Sequence, residues 1–382
     1  MNVNDLYDIC LMTIFDKFDE LEDLIIISQV CSKWRRLAQI RCEKITGLTF
    51  SPRNKVYILP KPQNIYTKSY KFMENINVAE VFPNLKLLET HSFGPICLCR
   101  VVANVLSTGN PLRGLFVEFE RVSTYEIYKG KAQHHVDLDQ EIVKHCGNLT
   151  RLLVNDPKFL DLFFNKYKFG EKLKMFGGFC GSKIGTFITY ANRMPNLKKL
   201  YLQDKEVTEN FQFPSFGYKF PGVEELTLAS GSNYLFYSRW SSRFPDLRDL
   251  HIAYIDYDSG KFGSLAESIP KSNYNVRKVF LNFTDYTILE RSQARHVMKE
   301  ITFRYPNCTS LTIFAFTNFV TIEDTIEIIK AMPNLSSLYL PLITTNNQES
   351  DIIKIIDDFC RKENRNLVFR IVHQGSGGYR PA

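Results

Sequence analysis

The stretch MPNLKKLYL, Met194 to Leu202, decides how the rest of the chain is read. It returns as FPGVEELTL (Phe220 to Leu228), FPDLRDLHI (Phe244 to Ile252) and MPNLSSLYL (Met332 to Leu340). In each copy a Pro, often followed by Asn or Asp, precedes apolar residues spaced Leu-x-x-Leu-x-Leu. The last two apolar positions are two residues apart, the period at which side chains share one face of a strand. Each copy therefore predicts a turn that feeds a short strand with one buried face.

Working outward, the leading apolar positions are Leu85, Leu112, Leu149, Leu173, Leu197, Val223, Leu247, Val276, Cys308 and Leu335. Successive gaps run from 24 to 37 residues, enough for one strand and one return segment per unit. Lys44 to Phe50 carries an early copy, and Leu367 to Val372 supplies a last strand in a shifted register. The copies at Leu173 and Cys308 are degenerate. The thirty residues after Phe50, with Pro52, Pro60 and Pro62, read as an irregular excursion. Thr321 is placed to cap a helix with Ile322, Ile326 and Ile329 on one face and Asp324 completing a capping box. Ile352, Ile355, Ile356 and Phe359 form a second helical stripe, and Arg291 to Phe303 and Asp137 to His145 are weaker helical segments.

This spacing resembles the leucine-rich repeat. The resemblance implies an α/β solenoid, a curved parallel sheet with helical returns, over residues 46–373; the Gly-rich tail at 374–382 is expected to be disordered. About ten strands roughly 4.8 Å apart would make an arc roughly 45–50 Å long.

Composition bounds what such a scaffold does. The chain has 382 residues, 44% apolar and 23% charged, with a net charge of +7. Lys and Arg are dispersed, the densest cluster being Lys33-Trp34-Arg35-Arg36, so no nucleic-acid partner is expected. Leu24 to Ile27 is too short to span a bilayer, and no membrane partner is expected. The N-terminus shows no export signal and the nine cysteines form no disulfide framework, so reduced thiols in the cytoplasm or nucleus are expected.

Residues 1–45 read as three short helices. Leu6, Ile9, Cys10, Ile14 and Phe15 fall at helical spacing behind Asn4 or Asp5 as cap; Leu24 to Ile27 leads to Val30 and Cys31; Ser32 is the expected cap of a third helix with Trp34, Leu37 and Ile40. So small a module cannot bury this much apolar surface within itself. These residues resemble the F-box: Leu6, Ile14-Phe15, Asp23-Leu24 and Ser28 to Ala38 (SQVCSKWRRLA) follow the family pattern in order. Tyr7 stands where that pattern has Pro, and Ile9 where it has an acidic residue. The resemblance implies docking on the Skp-type adaptor of a cullin-RING ubiquitin ligase. Leu6, Ile14, Phe15, Leu24, Val30, Cys31 and Trp34 would carry that contact or the packing beneath it.

Residues able to do chemistry are sparse. Cys97-x-Cys99 is no zinc knuckle, and His134, His135, His145 and Cys146 read better as loop residues and a helix end than as metal ligands. Gly177 to Gly185 lacks the Gly-Lys-Ser/Thr spacing of a phosphate loop. No cofactor, metal or catalytic residue is expected, and the chain is not expected to be an enzyme. The side chain between the last two apolar positions should instead point out of the sheet. That column reads Glu89, Phe116, Leu153, Gly177, Tyr201, Thr227, His251, Phe280, Thr312 and Tyr339, with Phe314 in the next column out. Tyr201, His251, Phe280 and Phe314 are the leading candidates for contact with a protein substrate. The chain thus reads as the substrate receptor of an SCF-type ubiquitin ligase. The other reading is a non-catalytic repeat scaffold or inhibitor whose N-terminal helices only cap the solenoid.

Overall fold

The computed structural model describes residues 6–50, 63–68, 76–93, 96–108, 112–119, 140–154, 156–179, 190–204, 219–230, 243–255, 273–283, 291–314, 320–341 and 349–371. The chain forms two compact units that divide after Phe179.

The first unit begins with three helices, α1 (Asp8–Phe15), α2 (Leu21–Ser28) and α3 (Ser32–Glu43). Helix α3 packs against both of the others. Strands β1 (Gly47–Phe50) and β2 (Asn64–Thr67) follow, then the single turn α4 (Val78–Val81), β3 (Leu87–Phe93), α5 (Ile96–Ser107) and β4 (Gly114–Phe119). Strand β5 (Arg151–Val154) leads into α6 (Pro157–Asp161), a π-helical turn (Leu162–Lys166) and β6 (Met175–Phe179). The strands run in the order β2-β1-β3-β4-β5-β6, and each described pairing is parallel.

The second unit holds β7 (Lys199–Asp204), β8 (Glu225–Ser230), β9 (Asp249–Ile255), β10 (Lys278–Phe283), α7 (Arg291–Arg304) and β11 (Ser310–Phe314). Helix α8 (Ile322–Ala331), β12 (Ser337–Leu340), α9 (Glu349–Lys362) and β13 (Val368–Ile371) complete it. Its seven described strands pair in sequence order, all parallel. Parallel strands joined by helical returns, repeated along the chain, make this an α/β solenoid of the leucine-rich-repeat type.

The repeated phrase explains the local geometry. The N–H groups of Leu197, Leu247 and Leu335 bond to Met194 O, Phe244 O and Met332 O at 3.2 Å, closing a turn with Pro at its second position. Proline's fixed φ suits that position, and Asn or Asp suits the one after it. All ten leading positions are buried, from 0% exposure at Leu85 and Cys308 to 5% at Leu197. Leu200, Leu226, Leu250, Val279, Leu311 and Leu338 lie beneath them at 2% exposure or less. Within the second unit the polar residue of the turn reaches the preceding repeat. Asn275 Nδ2 donates to Pro245 O (2.6 Å), Asn307 Nδ2 to Tyr274 O (3.1 Å) and Asn334 Nδ2 to Asn307 Oδ1 (3.2 Å). Asn307→Ala removes two of these links and should cost about 1 kcal/mol in urea unfolding. A loss below the error of the measurement would mean that the asparagine row does not fasten the stack.

Several expectations need correction. The excursion after Phe50 contains a strand: β2 lies parallel to β1, with Ile65 (1% exposed) paired to Leu48. Helix α3 has Cys31 at its N-cap with no side-chain cap, so Ser32 is already inside it. Helix α1 is preceded by Tyr7, and Asn4 and Asp5 lie outside the described residues, as do residues 374–382. The capping box at Thr321 and Asp324 forms and Ile329 is buried, but Ile322 and Ile326 are half-buried and the rest of the buried face of α8 is Asp324, Thr325 and Ile328. On α9 the buried residues are Ile352, Ile356 and Cys360, and Ile355 is 46% exposed. Helices α5 and α6 occupy two further returns that no residue stripe in the sequence had singled out, and Cys97 and Cys99 sit on α5.

Candidate functional site

The three N-terminal helices have an inside and an outside. Leu11, Phe15, Leu21, Leu24, Leu37 and Ala38 are buried. The Phe15 ring meets Trp34 edge-on at 5.8 Å and Phe18 at 6.1 Å. Lys33 Nζ donates to Leu6 O (2.9 Å) and pairs with Asp8 (3.4 Å), which also binds Arg36. The start of α3 is thereby fastened to the start of α1. The hydrogen bond from Arg36 is the main reason that the Asp8 carboxyl titrates below its usual range. Arg41, 1% exposed, faces Asp16 (3.8 Å) and Phe18 O (3.4 Å). Burial pushes its pKa down against the pull of Asp16.

One side of the module closes the edge of the sheet. Tyr66 N on β2 donates to Asp19 O at 2.8 Å, continuing the parallel pairing through Glu20. The Glu20 carboxylate accepts from Lys68 Nζ (2.7 Å) and Tyr66 Oη (2.9 Å), and the Lys68 hydrogen bond leads in lowering its pKa. Glu22 accepts from Thr67 Oγ1 (2.6 Å) and Lys68 N (3.1 Å). An uncovered strand edge offers pairing to any other chain, and these contacts block it.

The module also carries exposed apolar side chains. Among the described residues nine large apolar side chains are exposed, and five of them lie between residues 7 and 30: Tyr7 (82%), Ile9 (77%), Ile14 (46%), Ile26 (64%) and Val30 (58%). Ile9, Cys10, Thr13 and Ile14 make one exposed face of α1. Of the seven residues named from the F-box resemblance, Ile14 and Val30 are exposed and Leu6, Cys31 and Trp34 are half-buried. Phe15 and Leu24, each 1% exposed, belong to the packing beneath. Trp34 Nε1 is buried with no acceptor. Tyr7, Ile9 and Ile26 were not among the seven. The signal for the first two was present, since both depart from the family pattern toward larger apolar groups.

On the second unit, strand register places Tyr201, Thr227, His251, Phe280, Thr312, Tyr339 and Arg370 in one row. The described strand residues of this row before Arg370 are half-buried. His251 stacks on Phe280 (5.5 Å), Phe280 meets Phe314 (5.4 Å, tilted), and Arg370 lies 6.0 Å from the Tyr339 ring centre. The structure thus brings His251, Phe280 and Phe314 together and places Tyr201 two strands from His251. In the first unit the matching positions Glu89, Phe116, Leu153 and Gly177 are buried, so the expected exposed column does not extend there.

Burial is the main cause of a lowered His251 pKa, opposed by Asp249 and Glu225. A histidine held neutral loses folded-state stability as pH falls below its unfolded value, near 6.5. Wild type should therefore lose more stability between pH 7.5 and pH 5.5 than His251→Asn, measured by urea midpoint. Equal losses would place the titration elsewhere.

Nothing gathers into a reaction centre among the described residues. No three His, Cys, Asp or Glu side chains there stand close enough to hold a metal. His145 is half-buried beside the buried Cys146, whereas His134, His135 and residues 180–189 lie outside the described residues. Burial pushes the Cys42 thiol up to about 11, the Cys308 thiol to about 12 and the Cys146 thiol higher still, which disfavours the nucleophilic thiolate. No described helix is long and apolar enough to cross a membrane.

No protein-family model matches the chain, and no curated protein matches it. Among solved structures it is similar to a chain in the crystal structure of the Rad7 and Elc1 complex in yeast, at 16% identity and a TM-score of 0.42, covering 87% of this chain and 88% of that one. It is also similar to a protein from Bacteroides fragilis, at 12% identity and a TM-score of 0.36, covering 83% and 77%.

Proposed function

We propose that this chain is the substrate-recognition subunit of an SCF-type ubiquitin ligase. Its N-terminal helices would dock a Skp-type adaptor, and through it a cullin-RING ligase, while the repeats hold a target protein. The observation that carries the reading is the apolar surface left by Tyr7, Ile9, Ile14, Ile26 and Val30 on a module whose interior is already filled. Exposed apolar surface of this density marks an interaction site. The F-box-like order of Leu6, Ile14-Phe15, Asp23-Leu24 and Ser28 to Ala38 says which partner it suits.

In this role the chain does no bond chemistry. Holding adaptor and target at once turns a bimolecular encounter into a local one and raises the effective concentration of target lysines near the charged conjugating enzyme. Such a subunit works in the cytoplasm or nucleus.

The scaffold reading has an observation of its own, the contacts of Asp19, Glu20 and Glu22 with β2. Those contacts leave the exposed Tyr7, Ile9, Ile14, Ile26 and Val30 without a use. Co-expression with a Skp-type adaptor separates the two. The receptor predicts a stable equimolar complex through size-exclusion chromatography, and separate elution favours the scaffold.

A further inference from the structure

At the starts of their strands the two units differ in charge balance. In the second unit, the two turn residues before each leading apolar position and the two outward residues after it hold five cations and four carboxylates. These pair across strands: Lys198 with Glu224 (2.8 Å), Lys199 with Glu225 (2.6 Å) and Lys278 with Asp249 (3.0 Å). In the first unit from β3 to β6, the described residues at the same positions are Lys86, Arg113, Arg151, Lys172 and Lys174 against the single carboxylate Glu171. All five cations are exposed. The fold itself does not require bases here, because the second unit builds the same turns with balanced charge.

The cations lie on successive rungs of one ladder. Arg113 N and Gly114 N bond to Lys86 O at 2.8 and 2.9 Å, Thr150 N and Arg151 N to Arg113 O at 2.8 and 3.0 Å, and Lys174 N to Thr150 O at 2.8 Å. Arg113 Nη1 and Lys172 Nζ converge on the neutral Asn148, at its backbone oxygen (3.4 Å) and its side-chain oxygen (2.8 Å). Beside Gly114, a side chain would come within 3.5 Å of Arg151 Cβ, so Arg151 leans over the start of β4.

We infer that this strand-start rim of the first unit binds an acidic segment of a partner protein. Three inter-strand steps span roughly 14 Å, the reach of four or five extended residues. Like charges held within a Debye length attract an anionic chain, and release of their repulsion adds to binding. A nucleic-acid strand fits less well, because these positions offer no aromatic side chain on which a base could stack. The inference is independent of the adaptor reading, whose residues are on the helices.

The test uses the full chain and a short fluorescein-labelled peptide of alternating Glu and Gly, followed by anisotropy. Saturable binding is expected at low ionic strength, weakening roughly tenfold between about 0.05 and about 0.3 M salt. Lys86→Glu/Arg151→Glu/Lys174→Glu should abolish it, and the matching Gln triple variant, which adds no repulsion, should also weaken it. Arg248→Glu/Lys299→Glu/Lys354→Glu, with the same change in net charge on the second unit, should bind as wild type does. Absence of wild-type binding, equal loss in both Glu triples, or tighter binding of an oligothymidylate of equal charge would overturn the inference.

Discussion

Replacing Ile14 and Val30 together by glutamate is expected to weaken capture of a Skp-type adaptor by about 100-fold or more while leaving the chain folded. Both side chains are largely in water, at 46% and 58% exposure, so a carboxylate there costs the free protein little. In the complex the same carboxylates would be stripped of water against an apolar partner surface. That penalty joins the loss of two apolar contacts, and about 2.8 kcal/mol already corresponds to 100-fold. Leu24→Asp is the contrasting variant. Leu24 is 1% exposed, so this change should unfold the module and abolish capture by a different route, visible as a loss of helical circular dichroism. Retained affinity in the folded Ile14→Glu/Val30→Glu protein would move the docking surface elsewhere.

The largest stability effect is expected at Phe163. It sits on the π-helical turn after α6, 1% exposed, with ring centres of Phe164, Phe169 and Phe159 at 4.9, 5.5 and 6.5 Å. Phe164 continues the cluster to Phe176 on β6 at 5.7 Å. Phe163→Ala removes a ring from the centre of this group, and neighbouring rings held by a strand and a helix cannot collapse into the space. A loss of about 3–5 kcal/mol follows for the first unit, read from its urea transition. A loss under about 1 kcal/mol would mean that the cluster rearranges freely.

How much of this was legible in the sequence depends on whether a residue belonged to the repeated phrase. Leu197, Leu200 and Leu202 were read as core from spacing alone, and they are core, because the strand period fixes which side chains share a face. Strand β2 lay hidden in a proline-rich stretch. Its four residues become a strand by pairing with β1 and with the Asp19–Glu20 turn, a contact between segments more than forty residues apart. Spacing also assigned Phe116 and Leu153 to the outward side of their strands, but exposure depends on what covers that side, and both are buried. On the N-terminal helices, the resemblance named Val30 and Trp34 for an adaptor contact or the packing beneath it, and the structure leaves Val30 exposed and Trp34 half-buried. The resemblance passed over Tyr7 and Ile9 because it matches only what the family shares, whereas exposure reports what this chain does differently.

Hydrogen–deuterium exchange of the full chain, free and saturated with a Skp-type adaptor, tests the central proposal most directly. The receptor reading predicts slowed exchange on adaptor addition in α1, α2 and the start of α3, from Tyr7 to Trp34, with the strands of the second unit unchanged. Unchanged exchange across those helices at saturating adaptor, or protection confined to the repeat strands, would contradict it.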